Sequence, residues 1–248
     1  MEEKIQDKVN EFKTGEWFKR YSENKKEFLG QLRPLSSYND IDWKIQDANT
    51  IVEFCACGGE IGAINVLEVF AILHCCELAK CKTFVEIGRF KGRSTRLLAV
   101  MAKRTNGIAL SIDGRSSKGV AKRLEDLNLL DYVVFDDSWS PWVNLPLPMD
   151  EVDFLFIDGD HSFMSVIVDY HFFNYFVKKG GIIGFHDLMK VEVQEAVAKI
   201  IERDNLEELC RISSLRLYRK TQESRESYWQ LLTHHKDFDR KKLHDLQL

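Results

Sequence analysis

The stretch that most limits what this chain can fold into is Thr83-Phe-Val-Glu-Ile-Gly-Arg-Phe-Lys-Gly-Arg-Ser-Thr-Arg-Leu-Leu98. Its first five residues are mostly apolar and β-prone, which reads as a buried strand. Gly88 and Gly92 then break the run, and a helical pattern opens with Ser94 and Thr95 in N-cap chemistry. Strand, glycine turn and helix together make the ligand-cradling unit of a doubly wound sheet. The glycines let backbone N–H groups approach a ligand, and the helix N-terminus favours negative charge. Glu86 is out of character for a phosphate loop, because a carboxylate ends the strand. A ligand offering hydroxyls or an amine suits it better.

The spacing is Glu-x-Gly-x-x-x-Gly-x-Ser, which is neither the Gly-x-Gly-x-x-Gly of dinucleotide sites nor a Walker lysine loop. On these residues the chain resembles the class I S-adenosylmethionine-dependent methyltransferases. Within them it is most similar to the catechol-type, caffeoyl-CoA-type and bacterial sugar O-methyltransferases. Phe90 stands where the usual loop has a third glycine, and that branch also places a bulky residue there. The resemblance covers about residues 60–220. It implies that Glu86, Gly88, Phe90, Gly92 and Ser94 bind the methionine end of the cofactor.

Alternation continues down the chain. Ile108–Ile112 reads as a second strand ending in Asp113, the position that holds ribose hydroxyls in nucleoside-binding α/β folds. A helix over Lys118–Leu129 leads to a third strand, Tyr132–Phe135, and to Asp136-Asp137-Ser138. The resemblance carries Asp137 and Ser138 to the adenine. Val152–Ile157 is a fourth strand running into Asp158-Gly-Asp-His161. A helix over Ser165–Val177 and a glycine turn at Lys178–Gly181 precede a fifth strand, Ile182–Phe185, ending in His186-Asp187. A helix over Val191–Arg203 and two short strands around Ser213-Ser214 follow. The expected fold is therefore α/β. It has a doubly wound, mostly parallel seven-stranded sheet with an antiparallel C-terminal hairpin and an N-terminal helical segment. The expected division is a helical cap over 1–60, a methyltransferase domain over 61–221 and a helical tail over 222–248.

In such a sheet the first, fourth and fifth strands end side by side, so the Gly88 loop, Asp158–His161 and His186-Asp187 meet. Two acids and a histidine on one rim suit a divalent cation. In the metal-dependent enzymes that the chain resembles, the ligand positions fall on Asp158, His186 and Asp187. Those enzymes more often carry an acid where His186 stands, which leaves the metal open, with magnesium or manganese expected. His161 lies three residues past Asp158, at the interval of a catalytic lysine in the catechol-type enzymes. An imidazole there suits proton removal near neutral pH, with Asp160 as second candidate.

The implied activity is O-methylation of a small hydroxylated acceptor, a sugar or glycosylated metabolite. The alternative is a non-catalytic methyltransferase-like protein that binds the cofactor or a partner. A net charge of −4 argues against nucleic acid as a partner. Met-Glu-Glu-Lys at the start has no apolar signal core, and the run at 61–76 is interrupted by Asn65, Glu68 and His74. These imply no membrane partner and a cytoplasmic protein. Six cysteines show no secreted framework and read as small buried hydrophobes. Assembly into a homo-oligomer is compatible with the sequence.

Overall fold

The computed structural model describes residues 64, 66–140, 142, 143 and 152–223. The expected N-terminal helical segment and the expected C-terminal tail lie outside them.

The elements in chain order are α1 (Val66–Leu78), β1 (Thr83–Ile87), α2 (Arg93–Thr105), β2 (Ile108–Ile112) and α3 (Lys118–Asp126). A short 3-10 turn leads to β3 (Val133–Asp136) and then β4 (Val152–Ile157) and α4 (Phe163–Phe173). After a second 3-10 turn come β5 (Val177–Phe185), α5 (Val191–Arg203), β6 (Leu206–Ile212) and β7 (Leu215–Lys220). The seven strands form one sheet in the order β3-β2-β1-β4-β5-β7-β6. The first five are parallel, and β7 runs antiparallel to both β5 and β6.

Side-chain alternation sorts the strands onto two cores. Phe84, Ala109, Phe154, Phe156 and Ile182 face α1 and α2. Val85, Ile87, Leu110, Leu155, Ile157 and Ile183 face the other way, onto Val166, Tyr170, Val193 and Val197 of α4 and α5. Because the period is two, a one-residue slip would exchange the two cores, so the register is strongly specified. β4, with all six residues buried, is the buried-both-faces strand of a parallel sheet. Its single acid, Asp153, lies at the far end from the rim and accepts the N–H groups of Lys82 (2.6 Å) and Thr83 (2.9 Å).

Two local readings differ from expectation. Helix α2 is capped by Gly92 in a left-handed conformation, and Ser94 and Thr95 lie inside its first turn, both buried. Their hydroxyls are needed elsewhere, as shown below, so glycine takes the cap. Lys178–Gly181 is part of β5 rather than a turn closing a helix. There the pairing passes from Val177 to Ile182 while β4 advances only from Val152 to Phe154, so the intervening residues bulge out.

The rim is set by the end of β1. Gly88 donates its N–H to Ile112 O (2.9 Å), and Ile87 O accepts from Asp158 N (2.8 Å). Gly88 has φ +92, and a Cβ on it would lie 2.0 Å from the carbonyl oxygen of Asp158. Gly88→Ala is therefore expected to cost about 2 kcal/mol or more, combining a disfavoured φ with a backbone clash. Urea unfolding should show a lowered midpoint. An unchanged midpoint would mean that the two loops part without cost.

Candidate functional site

The carboxylate that ends β1 is not exposed to a ligand. Glu86 is fully buried, and its Oε2 accepts from Thr95 Oγ1 (2.6 Å) and Ser111 Oγ (2.5 Å). Burial raises its acid pKa, against the hydroxyls of Ser111, Ser94 and Thr95. Its other oxygen, Oε1, is buried with no hydrogen-bond partner among the described residues. Glu86 thus ties β1 to β2 and to the first turn of α2, and this explains why Ser94 and Thr95 are not caps.

The loop itself is held by Asp113. Oδ2 accepts from Arg89 N (2.9 Å) and Phe90 N (2.8 Å), and Oδ1 accepts from Arg115 N (2.8 Å). Oδ2 is thereby filled, and Oδ1 has lone-pair capacity left for a hydroxyl donor. Phe90 sits at φ +45 and is 51% exposed at the lip of the loop. Arg115 packs its guanidinium over the Phe90 ring at 5.2 Å.

Arg89 is a site residue that sequence reasoning missed. It is 2% exposed and donates to Ser111 O (2.8 Å) and Arg115 O (2.7 Å). It also pairs with Asp137 Oδ1 (2.7 Å) and lies over the Phe135 ring at 5.1 Å. Asp137 accepts from Ser117 N (3.0 Å) as well, so it braces the start of α3. Ser138 donates N–H to Asp136 Oδ1 (3.0 Å), and its hydroxyl bonds the same oxygen. The two residues expected at the adenine therefore have their polar atoms engaged within the protein.

At the ends of β4 and β5 the structure gathers acids and imidazoles. His186, with a side chain 2% exposed, bridges Asp158 Oδ1 (Nδ1, 3.1 Å) and Glu68 Oε2 (Nε2, 3.2 Å). Ser214 Oγ lies 3.0 Å from the same Nε2 and donates to Glu68 Oε1 (2.8 Å). Burial alone would lower the His186 pKa, but Asp158 and Glu68 outweigh it and lift it to about 10. Both ring nitrogens of His186 lie within hydrogen-bonding distance of carboxylates, which favour its charged form. Glu68, a charge within an apolar helix, was visible in the sequence as an interruption. Ser214 carried no such signal.

Closer to solvent, His161 Nε2 lies 3.1 Å from Asp187 Oδ2, and Lys190 Nζ lies 2.9 Å from that oxygen. Burial opposes ionisation of Asp187, but Lys190, His186 and His161 hold its carboxyl below the ordinary range. One ligand atom each from Asp158, His161 and Asp187 lies within 4.8 Å of the others, which fits a cation. Here His161 takes the third place expected of His186. Asp160 is exposed and accepts from the hydroxyls of Ser162 (2.8 Å) and Ser165 (2.7 Å), so it organises the start of α4.

Residues 85–188 match a family model described as a methyltransferase domain. That stretch is less than half of the chain. The O-methyltransferase TomG of Streptomyces achromogenes, solved with S-adenosylmethionine, superposes with a TM-score of 0.55 at 12% identity, over 84% of this chain and 100% of that one. An O-methyltransferase of Bacillus cereus, solved with S-adenosylhomocysteine, gives 0.55 at 15% identity over 78% and 100%. At such identities these likenesses show the fold. An uncharacterized protein of Acanthamoeba polyphaga mimivirus is 33% identical over 133 residues, 48% of this chain and 59% of that protein. The match thus spans less than two thirds of that relative. Among the described residues, no helix is long and apolar enough to cross a membrane.

The buried imidazolium has a pH signature. A histidine with a folded pKa near 10 and an ordinary unfolded pKa of about 6.5 contributes stability that is full below pH 6.5. That contribution is lost as pH rises toward 10. The stability difference between wild type and His186→Gln, measured by urea unfolding, should shrink steadily from pH 6.5 to 10. A difference independent of pH would mean that His186 is neutral in the folded state.

Proposed function

We propose that the protein is an S-adenosylmethionine-dependent O-methyltransferase acting on a hydroxyl of a small molecule, a sugar or glycosylated metabolite. The observation that carries this reading is one rim. The loop held by Asp113 and the group His161–Asp187 lie at the ends of adjacent strands of a methyltransferase domain. Gly88, Gly92 and Ser94 would bind the methionine end and Asp113 the ribose, with Phe90 at the lip. The polyhydroxylated acceptor is inferred from a rim of Asp158, Asp160, His161 and Asp187, groups that exchange hydrogen bonds with hydroxyls. A cytoplasmic location and the division at residues 60 and 221 belong to the same reading.

The cofactor supplies a methyl group on a sulfonium, so an O–CH3 bond forms as the S–CH3 bond breaks. The chain positions the acceptor and takes its proton. With Nε2–H donated to Asp187, His161 holds a lone pair on Nδ1 that accepts the hydroxyl proton. Asp187 keeps the ring oriented and stabilises the imidazolium formed, while Lys190 and His186 balance its charge. The second reading rests on the 4.8 Å cluster. Asp158, His161 and Asp187 would hold a divalent cation, magnesium or manganese, which would lower the acceptor hydroxyl pKa.

Calorimetric titration with S-adenosylhomocysteine should give micromolar binding that weakens on the order of tenfold or more in Asp113→Ala. No binding by the wild type, with or without magnesium or manganese, sinks the methyltransferase reading. Once an acceptor is found by screening sugars and phenols, His161→Ala should lower kcat about 10²–10⁴-fold. A chelator that abolishes turnover selects the cation reading. Unchanged turnover in chelator selects the histidine base.

A further inference from the structure

Asp169 is a buried carboxylate outside the rim group. It lies in α4 and is 4% exposed. Oδ1 accepts from Ser140 Oγ at 2.5 Å. Among the described residues Oδ2 receives no hydrogen bond and no cation pairs with Asp169. A carboxylate in such a place is costly unless something is to be bound there. Burial lifts its acid pKa to about 6, with Ser140 opposing and Asp160 adding to the rise.

Its position follows from two neighbours. A Cβ on Gly159, the residue after Asp158, would lie 3.4 Å from Asp169 Oδ2 and 3.3 Å from Ile87 Cγ2. Asp169 is therefore behind the ends of β1 and β4. Through Ser140 it reaches the loop that follows β3, the same loop that carries Asp137 and Ser138. Along the rim the sheet order runs β4, β1, β2, β3. A cofactor with its methionine end at the β1 loop and its ribose at Asp113 directs its base toward the β3 loop. The polar atoms of Asp137 and Ser138 are spent on Arg89, Ser117 and Asp136. Asp169 has an oxygen to spare, and an ionised carboxylate only accepts. On the adenine edge the ring nitrogens accept and the exocyclic amine donates.

We infer that Asp169 accepts a hydrogen bond from the exocyclic 6-amino group of the cofactor's adenine, with Ser140 aiming the carboxylate. The inference rests on the S-adenosylmethionine reading and makes Asp169 the residue that selects adenine over other purines. A 6-oxo base would present an acceptor to an acceptor, and buried mismatches of that kind discriminate strongly.

The test compares S-adenosylhomocysteine with S-inosylhomocysteine, which carries a 6-oxo group, by calorimetry at pH 8. Wild type should prefer the adenosyl ligand on the order of tenfold or more. Asp169→Asn presents an amide that can donate, so the preference should collapse or invert. A variant that merely loosens the fold weakens both ligands alike and leaves the ratio intact. An intact ratio in Asp169→Asn, with both ligands still binding, overturns the inference while the cofactor reading stands. Should Asp169→Asn fail to fold, Ser140→Ala serves instead, with the ratio expected to fall severalfold and an unchanged ratio overturning the inference. Wild type that binds neither ligand sinks the cofactor reading and this inference with it.

Discussion

The end of β1 is fastened to both of its neighbours, and the rest of the rim depends on that. Gly88 reaches across to β2 through its N–H, while Ile87 accepts from Asp158 at the end of β4. The space between the β1 loop and Asp158 is too small for a Cβ. Only a glycine with positive φ closes the two loops so tightly. That contact fixes where Asp158 begins, and Asp158 in turn bonds His186 at the end of β5. Three strand ends far apart in sequence become one surface through a single backbone approach.

The surface is organised by charge below it. Glu68 and Asp158 face one imidazole from opposite sides, and Ser214 completes the Glu68 shell. Two buried carboxylates so placed would not both ionise without a cation between them. His186 supplies that cation from the chain. An acid at this position would leave the carboxylates to be balanced by a bound metal. With histidine there, much of the balance is internal, and the outer pair, His161 and Asp187, lies closer to solvent.

The layout of the sheet was legible in the sequence because its carriers are periodic. Apolar strands alternate with amphipathic helices, and the glycine loop and the acids at strand ends fall at intervals that the fold requires. Side-chain duties were less legible. Glu86 read as a ligand group, but Thr95 and Ser111 bind it inside the core. His186 read as a metal ligand, and its ring also meets Glu68, which comes from a helix 118 residues away. Such pairings are set by tertiary contacts with no fixed spacing, so a single sequence does not display them. The charged residues inside apolar helices, Glu68 in α1 and Asp169 in α4, were the visible trace. Each is an acid in a run that should bury, and each proved to sit near the rim.

Arg89 shows why the loop can be ordered before any ligand arrives. Its guanidinium spends its donors on the carbonyls of Ser111 and Arg115 and on Asp137, joining the β1, β2 and β3 loops. A cation fully desolvated in this way is favourable only if nearly every donor is satisfied. The three loops therefore hold one another in register. Asp113 adds to this by accepting two N–H groups of the β1 loop, so its carboxylate is held in one orientation. A ligand entering such a site pays little ordering entropy, and its binding energy goes to recognition instead. The strained φ of Phe90 is maintained by the same contacts, since its N–H is one of the two that Asp113 holds.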